Sequence, residues 1–189
     1  MKVHLEKLKN IVEEYTKSFE AHDLEHTLRV YETCSYIGSK KGADMSILLP
    51  SALLHDIGRA YPRHAYIGSK LAEKILLENG YSRKKIEKIC YAIESHSFTE
   101  KKIPNSLEAK ILSDADKLDA MGAIGIYRTV IFNALSHGNL ETIIEHFHNK
   151  LLKLKDLLYT DIAQQLALSR HKFMKEFLKQ IEIELTLTD

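Results

Sequence analysis

Four side chains in this sequence suit the coordination of one divalent cation: His26, the adjacent pair His55-Asp56, and Asp116. Two imidazoles and two carboxylates form a mixed nitrogen and oxygen set. Such a set fits Mn²⁺, Fe²⁺, Ni²⁺, Co²⁺ or Zn²⁺, with Mg²⁺ as a harder alternative, and the lack of thiolate argues against a Cys-type structural zinc site. Four protein ligands leave positions open on a six-coordinate ion for water and a phosphate oxygen. The stretch Leu53-Leu54-His55-Asp56-Ile57 puts a carboxylate in an apolar run. Burying it unpaired is costly, and a cation would compensate. Asp114 is a competing carboxylate two residues before Asp116.

The four residues are distant in sequence, so separate helices must bring them together. Apolar residues recur at helical spacing almost throughout. Leu5, Leu8, Val12, Tyr15 and Phe19 make a first stripe over His4 to Phe19. Asp23 is placed to cap a second helix, which carries His26 and ends at Lys41-Gly42. Asp44 starts a third stretch, Met45 to Ile57, with Pro50 expected in its first turns, where proline is tolerated. Neighbouring residues on a helix point about 100° apart, so His55 and Asp56 reach one ion only if the helix ends there, and Gly58 predicts that ending. A fourth helix is expected from about His64 to Glu78 and a fifth, capped by Ser82, to about His96. Phe98 to Asn105 is a loop. Asn105 or Ser106 caps a further helical segment through Asp116, which Gly122 and Gly125 are expected to interrupt before Ile126 to Leu135. Two closing helices, Leu140 to Leu158 and Asp161 to Leu185, are amphipathic and without a polar constellation. No useful period-2 stretch occurs. The expected class is all-α, a single domain over residues 1–189, with the chemistry-bearing core at about 20–130 and packing helices at 140–187.

Composition narrows the classes further. The chain has 189 residues, 44% hydrophobic and 28% charged, enough to bury a core without disulfide or metal staples. Eight glycines and three prolines are few for a turn-rich all-β protein. The net charge of +1 offers no dedicated nucleic-acid surface. Cys34 and Cys90 lie in helix-like patterns outside any CxxC pair, which fits reduced, buried thiols. The charged N-terminus is unlike a signal peptide, and no apolar run approaches a membrane span. A cytoplasmic location is the expectation. Gly-x-x-x-x-Gly-Lys-Ser/Thr and Gly-x-Ser-x-Gly patterns are both missing, so neither a P-loop nor a serine nucleophile is expected.

Three segments then acquire a shared meaning: His22-Asp-Leu-Glu-His26-Thr-Leu-Arg-Val30, Leu53-Leu54-His55-Asp56-Ile57-Gly58, and Asp114-Ala-Asp116-Lys117-Leu118-Asp119-Ala-Met-Gly122-Ala-Ile-Gly125. In that order they resemble the HD-domain metal-dependent phosphohydrolase superfamily, and the small single-domain nucleotide (pyro)phosphohydrolases in particular. The likeness covers about residues 20 to 130. It implies an all-α domain with His26, His55, Asp56 and Asp116 as metal ligands, Asp116 being preferred to Asp114 because it follows alanine. It also implies that His64 and His96, in the order in which two-metal members use histidines, are available for a second ion. The two can instead contact phosphate or serve as general acid. His22, one turn before His26, suits a supporting or capping role. His4, His137, His146, His148 and His171 are expected on exposed helix or turn positions.

Arg59, Arg63, Lys117 and Arg128 are the basic residues near these motifs, and a polyphosphate needs several such groups. Asp119 is placed to orient Lys117 or a water, and Tyr61 and Tyr66 can pack or stack on a base. The expected reaction is hydrolysis of a phosphoester or phosphoanhydride in a small phosphorylated substrate, a nucleotide first among them. The metal would activate a water, and Asp56, His64 and His96 would be the catalytic groups. No membrane partner is expected, and a homo-oligomer is left open. Two alternatives stand beside this: a two-iron oxygenase using His64 and His96 as additional ligands, and a non-catalytic helical regulatory module that the metal only stabilises.

Overall fold

The computed structural model describes residues 2–16, 24–97, 100 and 102–186. The fold is all-α, and no strand occurs among the described residues. The chain divides into two compact units, Met1–Asp116 and Lys117–Asp189. No helix among the described residues is long and apolar enough to cross a membrane.

The first unit is built around α3, Met45–Leu54. Every residue from Ile47 to Leu54 is buried, so this helix is apolar on all sides and sits inside the others. Around it pack α1 (Lys2–Thr16), α2 (Leu24–Lys41), α4 (His64–Glu78) and α5 (Arg83–Glu94). Leu5, Leu8 and Val12 of the predicted first stripe face this core, with Ile75 and Leu76 of α4 and Ile86, Ile89 and Ile93 of α5. Tyr15 is exposed. Phe19, the proposed cap Asp23, His22 and Phe98 lie outside the described residues.

The helix ends follow local chemistry. Gly42 adopts φ 68° after α2 and Gly80 adopts φ 75° after α4, conformations that glycine takes at no steric cost. Asp44 caps α3, its carboxylate accepting from the Ser46 N–H at 2.9 Å. Pro50 is the sixth residue of α3, one turn later than a proline is easily placed. Ser82 occupies the N-cap of α5 in extended conformation, but its side chain makes no capping bond. Ser106 does cap α6 (Leu107–Asp119), accepting from the Ala109 N–H at 3.2 Å.

The second unit contains α7 (Gly122–Leu135), α8 (Leu140–Asn149), a short 3₁₀ helix (Leu151–Leu157) and α9 (Asp161–Thr186). Its interior includes Phe147, stacked on Phe177 at a centroid distance of 5.8 Å, with Leu151, Leu154, Ala163, Ala167 and Met174. Two expectations are corrected here. Gly122, at φ 72°, does break the chain between α6 and α7, whereas Gly125 lies inside α7. A Cβ at 125 would collide with the Ala120 carbonyl, so glycine serves close approach there and not a helix stop. The single helix expected over Leu140 to Leu158 is two, because Lys150 leaves helical geometry at φ −131°, ψ −63°.

Candidate metal centre

α3 stops at Leu54, and His55 to Arg63 run in turns, so the predicted ending beside the His-Asp pair is real. The turn is held by Arg59 N–H to the Asp56 carbonyl at 3.0 Å and Tyr61 N–H to the Gly58 carbonyl at 3.0 Å. Gly58 contributes more than an ending. A Cβ there would collide with the backbone N of Gly68 and the carbonyl of His64, so two glycines let this turn lie directly on α4. That contact sets His55 and Asp56 against the start of α4, where His64 sits.

His26 from α2, His55 and Asp56 from the turn, His64 from α4, His96 just past α5, and Asp116 from α6 all converge. Asp56 is central. Its Oδ2 lies 3.7 Å from His26 Nε2 and 3.8 Å from His55 Nε2. Its Oδ1 lies 3.8 Å from His64 Nε2 and 3.7 Å from His96 Nε2. Asp116 Oδ1 is 3.5 Å from His26 Nε2, while the two ring nitrogens of His26 and His55 approach to 3.3 Å. The rings meet edge to face, with centroids 5.2 Å apart for His26 and His55, 5.1 Å for His55 and His96, and 5.5 Å for His64 and His96. Two ligand groups result, His26-His55-Asp56 and Asp56-His64-His96, and they share the Asp56 carboxylate.

The donor chemistry fits a cation. His55 Nδ1 lies 2.8 Å from the Ala52 carbonyl and His96 Nδ1 lies 2.6 Å from the Ile93 carbonyl. A carbonyl only accepts, so each Nδ1 carries the hydrogen and each neutral ring leaves Nε2 bare. Bare nitrogens then face carboxylate oxygens inside a buried pocket, an arrangement that is repulsive until positive charge enters. Burial holds His55 down at about pH 4, with the charges of His96 and His26 adding to it against Asp56. His96 is also opposed by burial, yet its contact with Asp56 and the charge of Asp116 raise it above the usual range. Burial pushes Asp116 up, but the charges of His26, His96 and His55 outweigh it and hold this carboxyl below the usual range. The negative charge that raises His96 is the same charge that would attract a metal ion.

The remaining predicted residues are distributed more widely. Arg59 reaches the site, its Nη1 3.5 Å from His64 Nε2. Arg63 is exposed and sits 4.6 Å over the Tyr66 ring. Tyr61 is exposed. In the second unit, Arg128 donates to Asp119 Oδ2 at 2.9 Å, so Asp119 partners Arg128, and Lys117 Nζ lies 5.3 Å over the Tyr159 ring. Asp114 is fully buried. His137 and His148 are exposed as expected, but His146 and His171 are half-buried, and burial lowers both. Two supporting residues escaped sequence reasoning. Ser113 Oγ donates to the His96 carbonyl at 3.0 Å, tying α6 to the end of α5. Glu100 accepts from the Ala65 and Tyr66 N–H groups at 2.7 and 3.3 Å and lies 3.4 Å from His64 Nδ1.

An all-α fold with histidines and aspartates converging from several helices defines a class, and comparison with known proteins agrees. The HD domain family model matches residues 23–121, and the chain belongs to that family. It is similar to YpgQ of Bacillus subtilis, with 36% identity over 88% of this chain and 86% of that protein. The crystal structure of YpgQ in complex with ADP superposes with a TM-score of 0.83 at 31% identity, covering 96% of this chain and 94% of that one. An HD-superfamily hydrolase of Bacillus thuringiensis gives a TM-score of 0.80 at 30% identity over 98% of both chains. Ribonuclease Y of Geobacter sulfurreducens is 34% identical over 61% of this chain, which spans only 22% of that larger protein.

Proposed function

We propose that this chain is a metal-dependent phosphohydrolase acting on nucleotides, releasing phosphate or pyrophosphate. The observation that carries the reading is the Asp56 carboxylate, shared between two groups of inward-facing histidines with the Arg59 guanidinium alongside. His26, His55, Asp56 and Asp116 would hold the first ion, Mn²⁺, Fe²⁺, Ni²⁺, Co²⁺ or Zn²⁺ by donor type. His64 and His96, with Asp56, offer a second position. A divalent ion bound there supplies Lewis acidity, lowering the pKa of a water and polarising a phosphoryl oxygen. Asp56 or an adjacent imidazole takes the proton of the attacking water. Arg59 offsets charge gathering on the phosphoryl oxygens, and Arg63 lies on the same turn, where the rest of a polyphosphate would enter. Lys117 and Arg128 complete the set of proposed substrate-binding residues. The single-domain reading of residues 1–189 and the cytoplasmic location belong to the same proposal.

The comparisons support this reading by chemistry. YpgQ was crystallised in complex with ADP, and Ribonuclease Y is named for cleavage of a nucleic acid; a nucleotide ligand in one and a phosphodiester substrate in the other favour a phosphorylated nucleotide for this chain. The test is a screen of nucleoside mono-, di- and triphosphates with Mn²⁺, Mg²⁺, Ni²⁺ and Co²⁺, resolving phosphate from pyrophosphate. Pyrophosphate from triphosphates is the expected result, and inertness toward every nucleotide sinks the proposal. A two-iron oxygenase is the second reading, favoured by the bridging position of Asp56 alone. Two iron atoms per chain with oxygen-dependent turnover would select it.

A further inference from the structure

His64 meets three charged groups, one at Nδ1 and two at Nε2, and the two nearest decide where its ring carries the proton. Its Nδ1 lies 3.4 Å from Glu100 Oε1, and an ionised carboxylate only accepts. Its Nε2 lies 3.5 Å from Arg59 Nη1, and a guanidinium only donates. A neutral imidazole has one donor nitrogen and one acceptor nitrogen. Asp56 Oδ1 also faces Nε2, at 3.8 Å, and only accepts, but Glu100 and Arg59 are closer, and both of these nearer groups are satisfied only when Nδ1 carries the hydrogen. The reverse tautomer sets N–H against N–H on one side and a lone pair against a carboxylate on the other.

Glu100 is itself held in place. It comes from the loop after α5, and its Oε1 accepts from the Ala65 N–H at 2.7 Å and its Oε2 from the Tyr66 N–H at 3.3 Å. These first-turn donors need an outside partner, because the N-cap residue Arg63, at φ 56°, makes no side-chain cap. One carboxylate therefore starts α4 and borders the His64 ring. It cannot swing away from the ring without also releasing two backbone N–H groups.

We propose that Glu100 is a positioning residue, which with Arg59 fixes His64 in its Nδ1–H tautomer and so presents a bare Nε2 beside Asp56 Oδ1. This rests on the reading of His64 as a residue of the proposed hydrolytic site and deepens it. The resting ring brings a lone pair to the site, as a cation ligand or proton acceptor does, and not the proton that a general acid must give.

Long-range ¹H–¹⁵N correlation spectra of histidine-labelled, metal-free protein at about pH 8, where a histidine ring is neutral, read the tautomer directly. The His64 signals are identified by their loss in H64Q. Wild type is expected to show a protonated Nδ1 and a bare Nε2. Glu100→Ala is expected to move the ring toward Nε2–H, whereas Glu100→Gln, whose amide oxygen can take the place of Oε1, keeps Nδ1–H. Where nucleotide hydrolysis is measurable, kcat falls roughly 10–100-fold in E100A and recovers in E100Q, the size usual for a residue that orients a ligand. An Nε2–H tautomer in wild type overturns the proposal. So does a folded E100A with an unchanged His64 tautomer, the outcome that helix capping alone would give. If E100A does not fold, E100D is read for the same two outcomes, since a carboxylate one methylene shorter cannot reach both the helix start and the ring. The spectra need no activity, so a protein inert toward nucleotides would defeat the proposed function and leave this result standing.

Discussion

At the scale of single residues, Asp56 has the largest part, because each of its oxygens faces two imidazole nitrogens. Asp56→Asn keeps the shape and removes the charge that balances a cation among bare nitrogens. The expected outcome is metal content near zero by mass spectrometry, and loss of turnover beyond the roughly 10–100-fold typical of supporting residues. Its circular dichroism should match wild type, because the core of the first unit does not depend on this side chain. The two thiols give a second prediction. Burial, with the charges of Asp116 and Asp114, raises Cys34 well above its ordinary range. Burial and Glu73 raise Cys90 to about 11, and its Sγ donates to the Ser69 carbonyl at 3.3 Å. Thiolate is the reactive form, so at about pH 8 only about one Cys90 in a thousand is reactive. Alkylation of the native protein should be slow, and unfolding should make both thiols react at once. His55-Asp56 was visible in the sequence because such a pair is uncommon inside an apolar run, and His26 and Asp116 were expected beside it through the motifs in which they sit. Glu100 was not, since a glutamate in a polar loop has no local feature pointing to a helix start 35 residues earlier. The one available clue was negative: Arg63 has no oxygen with which to cap α4.

At the scale of elements, the helices that were well legible are those whose ends are set by their own residues. Asp44, Gly42 and Gly80 behave as their chemistry predicts, whereas the start of α4 is held by Glu100 from a distant loop. Where packing decides, local reading fails. Gly125 has the composition of a helix breaker but answers to the Ala120 carbonyl, and the apolar spacing of Leu140 to Leu158 does not report the turn at Lys150. Gly58 belongs with these. Its value lies in the seat it gives the His55-Asp56 turn against Gly68, a contact between residues ten apart. Gly58→Ala should therefore cost about 1–3 kcal/mol, as overpacking does, and weaken metal binding as well. Gly80→Ala, with open space around the added methyl and only a strained φ, should cost about 1 kcal/mol and leave metal binding alone. Denaturant midpoints and metal titrations on the two variants separate close approach from backbone conformation. Equal effects on metal affinity would show that the Gly58–Gly68 contact does not seat the site.

For the molecule as a whole, near-neutral charge and a large apolar core were readable from composition, and they set what metal can contribute. The core around α3 is continuous without any ion, so removal of metal should leave helix content intact. A ligand that binds only the folded chain adds stability by mass action, about 2.7 kcal/mol at a hundred times its dissociation constant. Chelation should accordingly lower Tm and Mn²⁺ should restore it, whereas the D56N chain should respond to neither. Acid should act on the metal-free protein in a predictable direction. The unfolded chain binds protons to histidine near pH 6.5, and folded His55 does so only near 4, with His64, His146 and His171 also lowered by burial. Between these values the unfolded state holds more protons, so stability falls as pH falls through the window. His96, raised in the folded chain, works in the opposite sense but is one group against four. Tm of the metal-free chain should thus decline from about pH 6.5 to 4, and saturating Mn²⁺ should make the decline steeper, because protons then also compete for the ligands. A metal-free chain as stable at pH 4.5 as at pH 7 would mean that these buried histidines do not stay neutral when the protein folds, and that the converging nitrogens are already charged before any metal arrives.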